Sequence, residues 1–317
     1  MTYPSKVNPA VSSAITSAIN SNNSSVVVPG DQARSNAIIT TTWANRATAI
    51  SAIAALTPAN GLVYVSDIGI NGSLWHCDGV KLICSNPLTL FQSSIPVVLP
   101  PSGTIGNNGA LTLGTAILAA GDYYMHFPAN AIAAGVAAGR YYVSMSNTTT
   151  GTIFNNTYTS GQPTVPSSPT AFVTTGPGAY TQTTASDIAL LSLTIPGNLI
   201  GKYGALNSRH WSQQNNTAGT KTGKVFFGGS ATYSAGLGSG TLSAMSIFCD
   251  IFNSGDTAKQ ICTASNNTSG ASVTAQDLVR LTKDTTQDVV LNYSGNLAVA
   301  TDWIYFSKVQ ATLVNYP

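Results

Sequence analysis

Residues 61–85, GLVYVSDIGINGSLWHCDGVKLICS, decide the fold class. Apolar residues alternate with polar ones in short runs here, the period of a half-buried strand rather than a helix. Asn71-Gly72 and Asp78-Gly79 interrupt the runs, and both dipeptides suit a two-residue type I′ hairpin because each residue tolerates positive φ. The pattern predicts a three-stranded meander. With Asp78-Gly79 as the turn, Trp75 faces Leu82 and Leu74 faces Ile83, so Cys77 and Cys84 fall out of register for a cross-strand bond and read as reduced thiols.

Downstream, residues 87–101 hold four of the 15 prolines and mark a boundary. From about Ser102 to Thr184, the runs ALTLGTAIL, DYYMHF, RYYVSMS and TIFNNTYT are separated by Gly, Pro and Asn turns, the pattern of an antiparallel β domain. After the PGAYTQTTASD linker, strands are expected at 187–195, 203–213, 222–234, 241–253, 258–264, 277–282, 287–292 and 302–314. So many short strands predict a sandwich. Within it, Gly255-Asp256 as a II′ turn sets Cys249 opposite Cys262, read as two buried thiols in a reducing site of synthesis.

Upstream the period is helical. Asn8 caps a helix over residues 9–20, with Pro9 at its first position and Val11, Ile15, Ala18 and Ile19 on one stripe. Trp43, Ala47, Ile50 and Ala54 form a second stripe that ends before Pro58. The expected fold is mainly β: short N-terminal helices in an attachment region (1–60), a β-meander connector (61–97), a middle antiparallel β domain (98–184) and a C-terminal, jelly-roll-like β-sandwich tip (185–317).

Composition narrows the function. Only 8% of the 317 residues are charged, the 11 acids are all Asp, and 13 Lys and Arg give a net charge of +2. The basic residues are scattered, so no phosphate-tracking stripe exists and nucleic acid is not an expected partner. No run approaches 18 apolar residues and Met1–Ser13 lacks the apolar segment of a signal peptide, so membrane insertion and secretion by that route are not expected. A surface of Ser, Thr, Asn and Gly suits burial against further copies of the chain, because charge is depleted at interface cores. Self-association is the first inference.

Little in the chain suits catalysis. A glycosidase needs two carboxyl groups flanking the bond; Asp284 and Asp288 are close in sequence, but TKDTTQDV reads as a turn. His76, His126 and His210 lack ligand spacing and read as half-buried strand residues, and the four cysteines match no metal pattern. Gly236–Gly240, GLGSG, lacks the Lys-Ser/Thr of a phosphate loop and reads as a turn. No enzyme activity, cofactor or metal is expected.

Three stretches carry a resemblance. GLVYVSDIGINGSLWHCDGVKL resembles a small connector module of bacteriophage tail fibres with a G-x-x-G-S-L-W-x-x-D/N-G core. GRYYVSMSNTTTGTIFNNTYTSGQPTVPSSPTAFVTTGPGAYTQTT is similar to a second tail-fibre module. IPGNLIGKYGALNSRHWSQQNNTAGTKTGKVFFGGSATYS, with DWIYFSKVQATLVN, resembles the β-sandwich tip of such fibres. The resemblance implies a homotrimeric virion fibre made in the host bacterial cytoplasm, joined to other tail proteins through residues 1–60 and contacting a host surface glycan or protein. A head fibre, capsid decoration or tail adaptor with a purely structural role is the alternative. His210 and Trp211 depart from the aliphatic strand typical of the tip, and the meander lacks a second Trp after Gly79.

Trp211 is the candidate contact residue. Alternation through NSRHWSQ places Asn207, Arg209, Trp211 and Gln213 on one strand face and Leu206 and His210 on the other. An indole among amides and a guanidinium suits stacking against a sugar; burial between copies of the chain suits the same residues. Arg209 beside Trp211, and Tyr233 on the strand after the FGG turn, complete the candidate receptor-binding set, with Tyr233 expected in the same sheet.

Overall fold

The computed structural model describes residues 38–84, 87–173, 178–184, 186–215, 219–237, 244–268 and 277–314. The helix expected over 9–20 lies outside them. Strands dominate, as the period-two runs predict, and the chain divides into two compact units, residues 1–90 with 313–317, and residues 91–312.

In the first unit, β1 (Ile38–Thr41), β2 (Gly61–Val65), β3 (Ser73–Cys77) and β4 (Leu82–Ile83) form a sheet in that order. β1 runs parallel to β2, and the other pairings are antiparallel. Val63, Val65, Trp75 and Cys77 alternate inward, as the pattern requires. Both turn registers differ from the sequence reading. Seven residues, 66–72, connect β2 to β3, and β3 meets β4 through the four-residue turn Asp78–Lys81, so Cys77 faces Leu82 and His76 faces Ile83. The Asp78 carboxylate accepts the Val80 and Lys81 amides at 2.9 Å each, which stabilises the wider turn.

The helix α1 (Arg46–Ala54) follows a 3₁₀ turn at Trp43–Asn45. Its buried residues are Ala49 and Ile53, one turn apart, whereas the predicted stripe members Ala47 and Ala54 are exposed. The 3₁₀ turn takes Trp43 out of phase with the helix that follows. Trp43 is buried all the same: its ring lies 5.3 Å from Trp75, and its amide donates to Asp67 at 2.7 Å. Gly61 is therefore no structural break, since residues on both sides of it share one small core.

The second unit begins at Phe91, within β5 (Leu88–Gln92), and its next strand is β6 (Val97–Leu99). Then come β7 (Gly103–Ile105), β8 (Ala110–Leu113), β9 (Gly121–Phe127), β10 (Gly139–Met145), β11 (Thr150–Tyr158) and β12 (Gly178–Tyr180). The C-terminal part adds β13 (Ile188–Ile195), β14 (Ala205–Gln214), β15 (Lys221–Phe227), β16 (Ser230–Leu237), β17 (Ala244–Asn253), β18 (Gln260–Thr268), β19 (Asp277–Leu281), β20 (Val289–Leu297) and β21 (Ile304–Val314). One long sheet has the order β12-β7-β8-β11-β10-β9-β6-β21-β14-β17-β18-β19, and a second has the order β13-β20-β15-β16. Both expected domains thus contribute to the long sheet, and the position expected to divide them, 184/185, falls inside this unit. β6 makes the connection, lying parallel to β9 on one side and antiparallel to β21 on the other. The expected strand 222–234 is a hairpin, β15–β16, turning at Gly228-Gly229 where φ is +57° and +79°.

Tyr123, Met125, Phe127, Tyr141, Val143 and Met145 fill one face of β9 and β10. Tyr124 and Tyr142 fill the other, 5.8 Å apart, with Tyr158 5.5 Å from Tyr124 and Phe154 5.3 Å from Tyr142. The chain's own loop lies close on that side: Tyr124 donates to Thr164 O at 3.0 Å and Ser94 to Pro163 O at 3.1 Å. These strands, apolar on both faces, are thus buried within a single chain.

Candidate functional site

The alternation assigned to β14 holds. Leu206, Ser208, His210, Ser212 and Gln214 point into the molecule, while Asn207, Arg209, Trp211 and Gln213 are half-buried or exposed on the outer face. β17 pairs antiparallel with β14, placing Phe248 directly opposite Arg209, Asp250 opposite Asn207 and Ser246 opposite Trp211. The Arg209 guanidinium lies 4.6 Å from the Phe248 ring centre and 5.6 Å from that of Trp211. Cation–π attraction on both sides orients a long side chain that free solvent would leave mobile. Phe248 is 37% exposed, an unusual position for a large apolar ring.

Asp250 is the acid nearest in register on this face, and Asn207 Nδ2 donates to it at 2.6 Å. Continuing across the sheet, Thr263 and Leu278 follow Asp250, and Ile261 and Arg280 follow Phe252. The outer face thus combines exposed aromatic, aliphatic and guanidinium groups. Phe248 is the member that sequence reading missed. Alternation in AMSIFCDIFN separates it from the buried Ile247, Cys249 and Ile251, but pairing with Arg209 across 39 positions of chain leaves no local signal.

Tyr233 stands elsewhere. Its backbone pairs with Val225 in the β15–β16 hairpin, which joins β20 in the second sheet, so it does not share the sheet of Trp211. A register shift between Val225 and Phe226 marks a bulge in that hairpin, and the Tyr233 side chain lies outside the described residues.

Beneath the outer face the two sheets of the sandwich meet in a polar seam. The His210 ring is fully buried, 5.2 Å from Tyr293 and 5.4 Å from Phe306, and neither ring nitrogen has a hydrogen-bond partner among the described residues. Desolvation of the charged form lowers its pKa to about 3, so it is neutral. This is deeper burial than the half-buried strand position expected of it. Ser208 and Tyr293 share a hydroxyl hydrogen bond at 2.7 Å, and Cys249 Sγ lies 3.4 Å from Thr232 Oγ1. Burial raises the thiols of Cys249 and Cys262 to about 11 and about 12. The β17–β18 loop spans six residues, 254–259, so Cys262 faces Ile251 and not Cys249. All four cysteines are buried and none is in a disulfide.

Other candidates serve the scaffold. Asp284 accepts from the Thr286 amide and hydroxyl, and Asp288 accepts from the Gly197 amide at 2.8 Å, so both carboxylates hold turns. His76 contacts Asn60 Oδ1 at 2.6 Å. His126 is largely buried, and desolvation lowers its pKa to about 4. Among the described residues no group of three or more His, Cys, Asp or Glu could hold a metal ion, and no helix is long and apolar enough to cross a membrane. Gly238–Gly240 of the GLGSG run lie outside the described residues.

No protein-family model matches the chain, and no curated protein matches it. Solved structures with some likeness are those of infectious bursal disease virus strain Gx, at 15% identity over 79% of this chain and 72% of that one, and strain Gt, at 13% over 81% and 78%. T=1 particles derived from infectious bursal virus match at 12% over 80% and 70%. The TM-score is 0.17 in each case, too low to carry an argument about this chain.

Proposed function

We propose that this chain is a bacteriophage virion fibre protein, self-associating as a homotrimer, joined to other tail proteins through residues 1–60 and binding the host cell surface through the outer face of β14 and β17. Its role is adhesion, not catalysis. The observation that carries this reading is Arg209 held between Trp211 and Phe248 on an exposed sheet face, since aromatic and Arg side chains dominate contact energies. The resemblance of three stretches to fibre modules and the 8% charge content support the virion setting.

The same three side chains suit a contact between copies of the chain, the purely structural alternative. One experiment separates the two. Labelled full-length protein is titrated onto a panel of bacterial isolates, and its oligomeric state is followed by light scattering. Trp211→Ala is expected to weaken adsorption at least about tenfold, equivalent to about 1.4 kcal/mol, with the oligomer intact. Dissociation of the oligomer would instead make this face a subunit contact.

A further inference from the structure

Resting on the host-binding reading of this face, we propose that its ligand is an acidic glycan: a pyranose carrying a carboxylate, bound by the Arg209 guanidinium while the Trp211 and Phe248 rings cover the apolar faces of the sugar units.

Charge selects the class of glycan. Arg209 is exposed, and the ion pairs among the described residues are Lys221–Asp302, Lys224–Asp187 and Lys259–Asp256, none of which uses it. Asp250 on the same face is engaged by Asn207. Arg280, also exposed, adds a second positive group to this face. A neutral sugar would leave a guanidinium's planar donor fork without an anionic partner, whereas a carboxylate accepts two parallel N–H bonds from it. The flanking rings hold that fork in place before any ligand arrives, which lowers the ordering cost of binding.

The surroundings fit a polyhydroxylated ligand. Gln213 offers an amide on the outer face. A protein partner would find the same rings, but one exposed cation set between two aromatic rings suits a charged sugar with neighbours along a polymer.

The test uses the full chain with polygalacturonate and polysialic acid, each compared with its neutral methyl ester in calorimetric titrations at low and at 0.5 M salt. At least one acid form is expected to bind about tenfold or more tighter than its ester, with the preference fading at high salt. Arg209→Gln should abolish the preference, Arg209→Lys should retain part of it, and Trp211→Ala should weaken acid and ester alike. Equal binding of acid and ester, binding of neither polymer, or a preference that survives Arg209→Gln overturns the proposal. Cell adsorption keeps the two readings apart. If Trp211→Ala lowers adsorption while no acid preference exists, host binding stands and the acidic class falls; if adsorption does not change, the host-binding reading itself falls.

Discussion

The middle strands and the C-terminal sandwich bury polar groups in opposite ways. Around β9–β12 four phenol hydroxyls each reach a backbone carbonyl: Tyr123 donates to Ala119 at 2.8 Å, Tyr141 to Ala137 at 3.1 Å, Tyr158 to Gly161 at 2.6 Å and Tyr180 to Pro101 at 2.8 Å, and His126 Nδ1 on β9 is the exception, with no partner among the described residues. In the sandwich seam, beside the Ser208–Tyr293 hydrogen bond, stand the Lys221–Asp302 pair at 3.3 Å with neither side chain exposed, and His210, whose two ring nitrogens have no hydrogen-bond partner among the described residues. A tyrosine contributes apolar area and spends one hydroxyl on a nearby carbonyl. A buried charge or imidazole is tolerable only while its pairing or its neutrality persists. Identical strand architecture therefore supports two cores with different sensitivities to substitution and to acid.

That contrast breaks or sharpens under four measurements. The largest effect is expected from Lys221→Met, which removes the cation paired with the buried Asp302 carboxylate, at a cost of about 3–5 kcal/mol. Chemical denaturation measures it, and the double variant with Asp302→Leu should recover most of the loss. Acidification comes next. His210 is neutral when folded with a pKa of about 3, so the unfolded state, titrating near 6.5, binds the extra proton. Stability is then complete above about pH 6.5 and falls as pH drops toward 3, by about 3 kcal/mol between pH 7 and 4. His126, lowered to about 4, adds a smaller loss of the same sign. His210→Phe should flatten the acid limb of the stability curve; an unchanged limb would mean that the seam is not the acid-sensitive core.

A third measurement concerns the one cation of the middle region that behaves like its tyrosines. Arg140 donates to the carbonyls of Tyr158, Thr159, Ala189 and Leu190 and lies 4.7 Å from the Tyr158 ring centre, joining β10 and β11 to β13. Arg140→Ala is expected to destabilise by about 2 kcal/mol, since bonds to charged donors are the stronger class. The smallest effect belongs to Tyr180→Phe, about 1 kcal/mol for one buried hydrogen bond. Thermal unfolding of Lys221→Met, Arg140→Ala and Tyr180→Phe should reproduce that order.

Much of the strand content was legible because alternation is local. The β14 faces followed from residues 207–213 alone, and the pairing of Gly228 with Gly229 announced the bend between β15 and β16. Register was not legible where a turn used more residues than its favoured dipeptide. The turn at Asp78 widened from two residues to four and that at Gly255 from two to six, and each displaced every pairing beyond it. Nor did local pattern reveal what covers a strand apolar on both faces. Tyr124 reaches Thr164 on a loop between distant strands, and Tyr142 packs against Tyr124 and Phe154, so both are buried within one chain. The Arg209–Phe248 contact stayed hidden for the same reason: it depends on which strands lie side by side.

The short strand β6 also fixes how this unit would carry a load. Val97, Val98 and Leu99 are wholly buried, with β9 bonded on one edge and β21 on the other, while Ser93 adds two hydrogen bonds to Val309 just before the strand begins. Tension entering through the chain at Pro96 and resisted by the outer face of β14 and β17 runs along these strands rather than across them. The bonds are then strained together, in shear, and cannot peel apart one at a time. A tether pulled from that end therefore loads two neighbouring strands at once through a strand only three residues long.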